Sequence, residues 1–203
     1  MKRRCEWAQS DTQLQVYHDR EWGVPQHDDR MLFEQLIMQC MQAGLSWLTI
    51  LKKRDNFYHA FDDFDPHMVS RYDQAKVDQL MHNPGIIRNM RKIQAAISNA
   101  GAFIDIQNTF GSFNEYLWRF VDGVTIRNER KSFTEVPAFS PESIRLSKDL
   151  KQRGFSFVGP TICYAYMQAV GMVNDHLLSC FRYHELNKAK SSFTKKDGVF
   201  DEL

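Results

Sequence analysis

Two pairs of metal-ligating side chains lie near the two ends of the chain. His176 and Cys180 are four residues apart, a spacing that places both side chains on one face of a helix. Near the other end, Cys5 and His18 are separated by a gap of twelve residues. Together the four would form a Cys2His2 set, the usual chemistry of a structural zinc site. The pairs lie about 160 residues apart, unlike a zinc finger, and each pair alone is also consistent with a buried thiol and a hydrogen-bonded imidazole.

A second candidate site is the connection between two helical stretches at residues 83–87. A glycine there allows close approach of another backbone, and the following helix has free N–H groups at its start. Such a hairpin can hold a DNA phosphate without reading the base. It can equally be an ordinary helical connection with a solvated basic face. The residues concerned are Asn83, Pro84, Gly85, Ile86 and Ile87, followed by the basic residues Arg88, Arg91 and Lys92.

Four aromatic residues are concentrated in the first quarter of the chain: Trp7, Tyr17, Trp22 and Trp47. Clustered aromatic rings can stack on a planar nucleobase. The same rings can also form a plain aromatic core, and the sequence pattern alone does not separate these two interpretations.

The elements that must position these residues are predicted to be helices. Apolar residues recur at helical spacing after Asp28 and Asp29, which can cap the first long helix. Further helices are predicted from 46, over about 87–102, from 140 to 154, from 160 to 171 and over 175–181, with a loop at 122–139. Strand signals are almost absent, so the predicted class is all-α, a compact multi-helix fold with a cleft.

Composition sets further limits on function. The chain has 203 residues and a net charge of +1, which excludes a histone-like binder of polyanions. We expect one globular unit over 1–183, with its helix-hairpin-helix around 73–102, and a polar, mobile tail over 184–203. No apolar run is long enough to cross a bilayer, and no secretory signal is visible. The expected location is cytoplasmic, where the four cysteines would be thiols or metal ligands.

Four long segments carry a resemblance to a known family. They are YHDREWGVP (17–25), QAGLSWLTILKKR (42–54), GIIRNMRKIQAAI (85–97) and RGFSFVGPTICYAYMQAVGMVNDH (153–176). They strongly resemble the DNA-3-methyladenine glycosylase I family, in one register from Cys5 to about Cys180. The resemblance implies an all-α helix-hairpin-helix glycosylase fold and the excision of 3-methyladenine from alkylated double-stranded DNA, which leaves an abasic site.

The resemblance also implies roles for particular residues. One structural zinc ion per chain would join the two chain ends through Cys5, His18, His176 and Cys180, and the hairpin at 83–87 would bind DNA. The base pocket would involve Trp7, Tyr17, Trp22, Gln39 and Trp47, and Gly44 and Leu45 would form the wedge that fills the vacated stack. No lysine is placed by a recognisable motif to form a Schiff base, so we expect a monofunctional glycosylase, most simply a monomer. No general base can be named, and the position of Asp175 next to His176 predicts support of the metal site.

One position departs from the family pattern. The family typically has a glutamate three residues before the QAGLSW motif, and this chain has Gln39 there. The resemblance implies that the glutamate contacts the methylated base, so a neighbouring carboxylate, Glu34 or Glu21, would have to replace it if a charge is required. The alternative function is a lesion-binding relative with weak or altered base specificity. A zinc hydrolase would need an open coordination position, which a Cys2His2 set does not leave.

Overall fold

The computed structural model describes residues 2–188, and the prediction of an all-α class is confirmed for them. Eleven α-helices occur in this part of the chain, connected by short turns, several of them 3-10 turns. The helices are α1 (Thr12–Arg20), α2 (Asp29–Gln42), α3 (Trp47–Leu51), α4 (Arg54–Ala60), α5 (Pro66–Val69), α6 (Gln74–His82), α7 (Met90–Phe110), α8 (Phe113–Trp118), α9 (Pro141–Gln152), α10 (Pro160–Ala169) and α11 (Phe181–Lys188).

Side-chain caps set the beginning of most helices. The Asp28 carboxylate accepts a hydrogen bond from the Met31 N–H at the start of α2. Ser46 caps α3 in the same way, and Asn89 caps α7 by accepting from the Lys92 N–H. Each cap satisfies a backbone donor that has no partner inside its helix. The predicted start of α7 at about residue 87 is therefore three residues too early.

Helices α2 and α7 form the centre of the core. Every residue of α2 from Leu32 to Met41 is buried, because α7, α8 and α10 all pack against it. Phe33 of α2 meets Phe103 of α7 with ring centroids 5.0 Å apart. The helix α7 continues to Phe110, eight residues past its predicted end at 102. Burial of Phe103 and Ile106 on its apolar face accounts for the extension beyond residue 102.

Two short strands, β1 (Ile126–Arg127) and β2 (Val173–Asn174), pair in parallel. Because β2 is extended, the predicted helix over 175–181 does not form, and α11 begins only at Phe181. A mobile tail was expected from residue 184, but residues 184–188 are helical and belong to α11. Residues 189–203 of the expected tail lie outside the described residues. Within residues 2–188, no helix has both the length and the apolar character needed to span a bilayer.

Candidate base cavity and metal centre

The two predicted ligand pairs meet in one buried cluster. The ligand atoms of Cys5, His18, His176 and Cys180 all lie within 4.8 Å of one another, and all four residues are buried. Cys180 Sγ is 3.4 Å from His18 Nε2 and 3.6 Å from His176 Nδ1. The cluster therefore joins the N- and C-terminal regions and can hold a metal ion.

The predicted helical spacing of His176 and Cys180 is wrong, although the two side chains do converge. Between β2 and α11, the backbone N–H groups of His176 and Leu177 donate to side chains and not to the carbonyl four residues earlier, as they would in a helix. The N–H of His176 donates to the Asn174 side chain, and the N–H of Leu177 donates to Cys5 Sγ. The segment is thus shaped by contacts with distant residues rather than by helical periodicity.

Each imidazole of the cluster has a second partner that fixes its orientation. His18 Nδ1 lies 2.8 Å from the Asp19 carboxylate, so its Nε2 is directed at the sulfur atoms. His176 Nε2 lies 3.0 Å from the Trp22 carbonyl oxygen, so its Nδ1 faces the same centre. Carboxylate and carbonyl partners of this kind typically accompany histidine ligands of metals.

The two sulfur atoms of the cluster differ in their preferred protonation. The hydrogen bond from Cys5 lowers the pKa of Cys180, and the same bond raises the pKa of Cys5. The cluster thus favours a thiolate at Cys180, and the thiolate is the form that binds metals. The other two cysteines are bonded to backbone carbonyls instead: Cys40 Sγ is 3.5 Å from the Phe157 oxygen, and Cys163 Sγ is 3.4 Å from the Val158 oxygen.

A cavity of about 250 Å³ lies next to this cluster, and all five predicted base-pocket residues line it. Trp7 and Trp22 meet edge to face with centroids 5.1 Å apart, and Tyr17 and Trp47 are 5.2 Å apart. The aromatic rings therefore form the walls of an open cavity as well as part of a small apolar core. The lining residues are Trp7, Tyr17, Trp22, Gln39, Gln42, Trp47, Phe133, Ala165 and Gln168.

Two polar atoms of this lining are buried and have no hydrogen-bond partner among the described residues. They are Oε1 of Gln39, an acceptor, and Nε1 of Trp47, a donor. Gln39 is only 3% exposed, so water around the protein does not readily satisfy it. Buried polar atoms normally have partners, so this pair indicates a ligand that offers both a donor and an acceptor.

Sequence reasoning did not assign four residues that line the cavity. Gln42 belongs to the QAGLSW motif, and Ala165 and Gln168 lie in the last resembling segment, so the motifs contained a signal for these three. Phe133 lies in the loop between β1 and α9, and its sequence context gives no such signal.

Asp175 orients Gln168, one of the residues that line the cavity, and does not support the metal cluster directly. Its Oδ2 accepts hydrogen bonds from the Tyr164 hydroxyl at 2.6 Å and from Gln168 Nε2 at 2.7 Å. Its Oδ1 accepts from Asn128 and lies 3.8 Å from Arg130 Nε. The expected role beside His176 is therefore replaced by a link to the wall of the cavity.

The two carboxylates considered as replacements for the family glutamate, Glu34 and Glu21, are both paired with Arg54. Arg54 Nε donates to Glu34 at 2.7 Å, and its terminal nitrogen donates to Glu21 at 2.6 Å. Neither carboxylate lines the cavity. Among residues 2–188, the cavity lining includes no Asp, Glu, His or Lys.

The predicted wedge residues are exposed beside the cavity. Gly44 has φ of +78°, and Leu45 is 40% exposed. Lys92 is buried behind them, with Nζ donating to the carbonyls of Met41 at 2.8 Å and Ala43 at 2.6 Å. Burial lowers the pKa of Lys92. The ammonium group thus anchors the end of α2 and is not directed at solvent, in contrast to the predicted contact with DNA.

The predicted hairpin at 83–87 connects α6 to the cap of α7. The Gly85 N–H donates to the Asn83 side chain at 2.8 Å, and a Cβ at Gly85 would lie 2.9 Å from Asn56 Cγ. A side chain at this position would have to displace Asn56, so close packing favours glycine there. Arg88 and Arg91 are exposed next to this turn, and neither has an ion-pair partner within the described part of the chain.

Comparisons with known proteins agree with this architecture. Residues 7–183 match the family described as methyladenine glycosylase. DNA-3-methyladenine glycosylase 1 of Escherichia coli K12 is 44% identical over 180 residues, which is 89% of this chain and 96% of that protein.

Two solved structures have the same fold. One is 3-methyladenine DNA glycosylase I (TAG), which has a TM-score of 0.86 and 47% identity, with 88% of this chain and 98% of that chain covered. A structure that describes 3-methyladenine recognition by the Staphylococcus aureus enzyme has a TM-score of 0.85 and 35% identity, over 87% and 94% of the two chains. The chain, whose N- and C-terminal regions meet at Cys5, His18, His176 and Cys180, belongs to the methyladenine glycosylase family.

Proposed function

We propose that this protein is a DNA repair glycosylase that flips out and hydrolytically excises 3-methyladenine from alkylated DNA. Two relatives that this chain matches are named DNA-3-methyladenine glycosylases, and the family model covers the greater part of this chain. Excision leaves an abasic site, and the protein acts as a monofunctional enzyme without lyase activity.

The observation that carries this proposal is the pair of unpartnered atoms in the aromatic cavity. Gln39 Oε1 can accept from an exocyclic amino group, and Trp47 Nε1 can donate to a nitrogen acceptor. Adenine offers an amino donor and ring-nitrogen acceptors. The aromatic rings of Trp7, Tyr17 and Trp22 surround the same space, where they can contact a planar cationic base through stacking and cation–π attraction.

The base must leave the duplex before it can enter this cavity. Flipping costs a few kcal/mol, and least for a damaged base. The exposed Leu45, placed by the turn at Gly44, is positioned to fill the gap that remains in the stack. The hairpin at 83–87, with Arg88 and Arg91, would hold the phosphate backbone at the same time.

The lability of the methylated nucleotide explains why the cavity needs no general acid. Methylation at N3 gives the adenine a positive charge, so the base is a good leaving group. A water oxygen bonds to the sugar C1′, the bond from C1′ to the base breaks, and the bonding electrons neutralise the departing base. The water proton is released to solvent. The protein contributes recognition, orientation and exclusion of bulk water.

We infer that the metal of the Cys2His2 cluster is a structural zinc ion. Zinc–sulfur bonds of about 2.3 Å and zinc–nitrogen bonds of about 2.0 Å place tetrahedral ligand atoms about 3.5 Å apart. The sulfur–nitrogen distances of 3.4, 3.6 and 3.7 Å in the cluster agree with this value. With four protein ligands, the ion would hold the chain ends together and would not bind substrate.

The substrate is proposed to be double-stranded DNA, because a wedge such as Leu45 is useful only where a base stack must be filled. The cavity and the cluster are built from one chain, which supports action as a monomer. Four cysteines without disulfides support a cytoplasmic location.

Release of free base from DNA treated with a methylating agent tests the proposed activity. The wild-type protein should release 3-methyladenine, identified by chromatography and mass spectrometry. The Trp47→Ala variant, which lacks the ring and its donor, should release it far more slowly. Binding to alkylated DNA without release of base would contradict the proposal and would indicate a lesion-binding protein.

A further inference from the structure

A second cavity of about 250 Å³ lies at the other end of α7, away from the hairpin. Phe110 at the end of α7 lies in its wall, whereas Lys92 next to the wedge is eighteen residues earlier on the same helix. At about 1.5 Å per residue, these positions are about 27 Å apart along the helix. We call this space the arginine cavity; its lining residues are Phe110, Tyr116, Arg119, Phe120, Arg145, Asp149 and Arg153.

Aromatic rings and guanidinium groups are combined in the walls of the arginine cavity. Arg119 and Arg153 both lie over the Phe110 ring, with their Cζ atoms 4.8 and 4.9 Å from its centroid. Arg153 is also 5.2 Å from the Tyr116 ring centroid. Cation–π contacts hold these guanidinium groups beside the rings. Arg153 also donates from Nε to Asp149, whereas Arg119 keeps its N–H donors for a ligand.

Positive charges outnumber negative charges in the lining of the arginine cavity, which contains three arginines and one aspartate. Asp149 is its only carboxylate, and it is already occupied by the Tyr116 hydroxyl at 2.6 Å and by Arg153 Nε at 2.7 Å. Arg119 has no ion-pair partner among the described residues. Arg145 Nη2 donates to the Phe120 carbonyl at 3.3 Å and lies 3.8 Å from Glu142, which leaves its other N–H groups for a ligand. Two guanidinium groups at the opening are therefore available for anionic groups, which they can bind in a bidentate manner.

The size and the remaining charges indicate what kind of anion would enter. Pockets for complete small-molecule ligands typically occupy about 300–1,000 Å³, so this cavity is suited to one large side chain. A DNA backbone offers negative charges but no side chain that could enter the cavity against its rings. A peptide can place its carboxylates next to the arginines and an aromatic side chain against the rings.

We propose that the arginine cavity is a docking site for an acidic segment of a partner protein. One aromatic side chain of this segment enters the cavity against Phe110, Tyr116 and Phe120, and flanking carboxylates pair with Arg119 and Arg145. The site is separate from the base cavity, so a docked partner and a DNA substrate can be bound together. Aromatic anchors and arginines are the residue types that dominate such interfaces.

Titration of the ¹⁵N-labelled protein with short blocked peptides, followed by NMR, tests the proposal. The probe is Glu-Asp-Phe-Asp-Glu, and its two controls replace Phe by Ser or all acidic residues by their amides. The probe should shift the amide signals around residues 110–120 and 145–153 in a saturable way, and both control peptides should bind at least about tenfold more weakly. Added salt should weaken the binding, because the carboxylate pairs are exposed.

Matched protein variants locate the binding. The double variant Arg119→Gln/Arg145→Gln should lose at least about tenfold in affinity for the probe, whereas Lys151→Gln, an exposed neutralisation on α9 outside the cavity, should not. Both variants should excise 3-methyladenine at the wild-type rate. The proposal would be overturned by any of three results: equal binding of the three peptides, tighter binding of inorganic phosphate or an oligonucleotide, or unchanged binding of the probe by the double variant.

Discussion

Trp22 and His176 contact each other twice, through ring and backbone. The indole meets the imidazole edge to face with centroids 4.6 Å apart, and the Trp22 carbonyl oxygen lies 3.0 Å from His176 Nε2. Trp22 lines the base cavity, and His176 belongs to the metal cluster. The Cys2His2 cluster and the wall of the aromatic cavity are therefore in direct contact through these two residues.

Loss of the metal should both destabilise the fold and weaken base binding. We expect the Cys180→Ser variant to bind less than one zinc per chain and to lose at least about 3 kcal/mol of unfolding free energy, or about 6–12 °C in Tm. Affinity for 3-methyladenine should fall as well, because Trp22 loses its support. Metal analysis, thermal unfolding and calorimetric titration with the base measure these effects.

The control is Cys163→Ser, which changes another buried cysteine outside the cluster. This variant should retain one zinc per chain and wild-type affinity for the base. A purified wild-type protein that contains no zinc and is equally stable after treatment with a chelator would show that the cluster is not a structural metal site.

Replacing Gln39 by glutamate should tighten the binding of 3-methyladenine. Glutamate provides two acceptors and a negative charge where the glutamine oxygen now has no partner in the described structure. Charge-assisted hydrogen bonds are about twice as strong as neutral ones, so we expect a gain of about 1–2 kcal/mol, or about five- to thirty-fold in affinity. Wild-type protein should accordingly discriminate less between cationic and neutral bases.

The matched control for this variant is Gln42→Glu, the same change at another glutamine of the cavity. Unlike Gln39, Gln42 is not among the described residues that have a buried side-chain oxygen without a hydrogen-bond partner. The Gln42→Glu variant should therefore gain little affinity for the base. Titration calorimetry with the free base measures both variants. Equal or weaker binding by Gln39→Glu would mean that position 39 does not contact the base.

Arg88→Gln should weaken DNA binding by the same factor on every sequence. Arg88 is exposed next to the hairpin, where a guanidinium group would contact phosphate and not base edges. Removing one phosphate contact should reduce the slope of log affinity against log salt by about 0.9. Fluorescence anisotropy with several duplexes at a series of salt concentrations measures this slope, with Lys148→Gln on α9 as the control. Unchanged duplex affinity would place the DNA elsewhere.

Lys92→Met should behave differently from Arg88→Gln, although both remove a positive charge near the hairpin. The Lys92 ammonium donates to two carbonyls at the end of α2, so its loss leaves the Met41 and Ala43 oxygens without this donor. We expect about 1.5–3 kcal/mol of destabilisation and slower excision, because the turn that carries Leu45 is no longer anchored. Chemical denaturation and single-turnover excision test this. A variant with wild-type stability and only a reduced salt slope would restore Lys92 to the DNA interface.

The residue types and caps in the sequence were sufficient to predict the helical class, the start of α2 and the two candidate ligand pairs, whereas only the resemblance joined these pairs into one cluster. Their patterns are local or chemically distinctive, such as the Asp28 cap and the Cys and His ligand types. The inward orientation of Lys92 was not predictable, because it depends on the carbonyls at the end of a helix about fifty residues away. Phe133 enters the cavity from a loop without periodicity, so no local pattern identifies it.

The conformation of residues 175–180 depends on tertiary contacts in the same way. Local spacing predicts a helix there, but the N–H of Leu178 donates to the Arg130 carbonyl at 2.8 Å, and β2 holds the preceding residues extended. The sequence therefore predicts which residues form the cluster more reliably than it predicts the backbone conformation at those residues.

The junction of the two chain ends has a topological consequence. Besides the metal cluster, the Phe181 N–H donates to the Arg3 carbonyl at 2.9 Å, and Lys2 Nζ is 3.4 Å from Glu185. The first and last residues of the described part of the chain, 2–188, therefore lie close together. The fold depends on which helices are neighbours in space, and not on which of them comes first in the chain. We expect a circular permutant that joins residue 188 to residue 2 by a short linker, and opens at the exposed turn before Val124, to retain the cluster and the aromatic cavity.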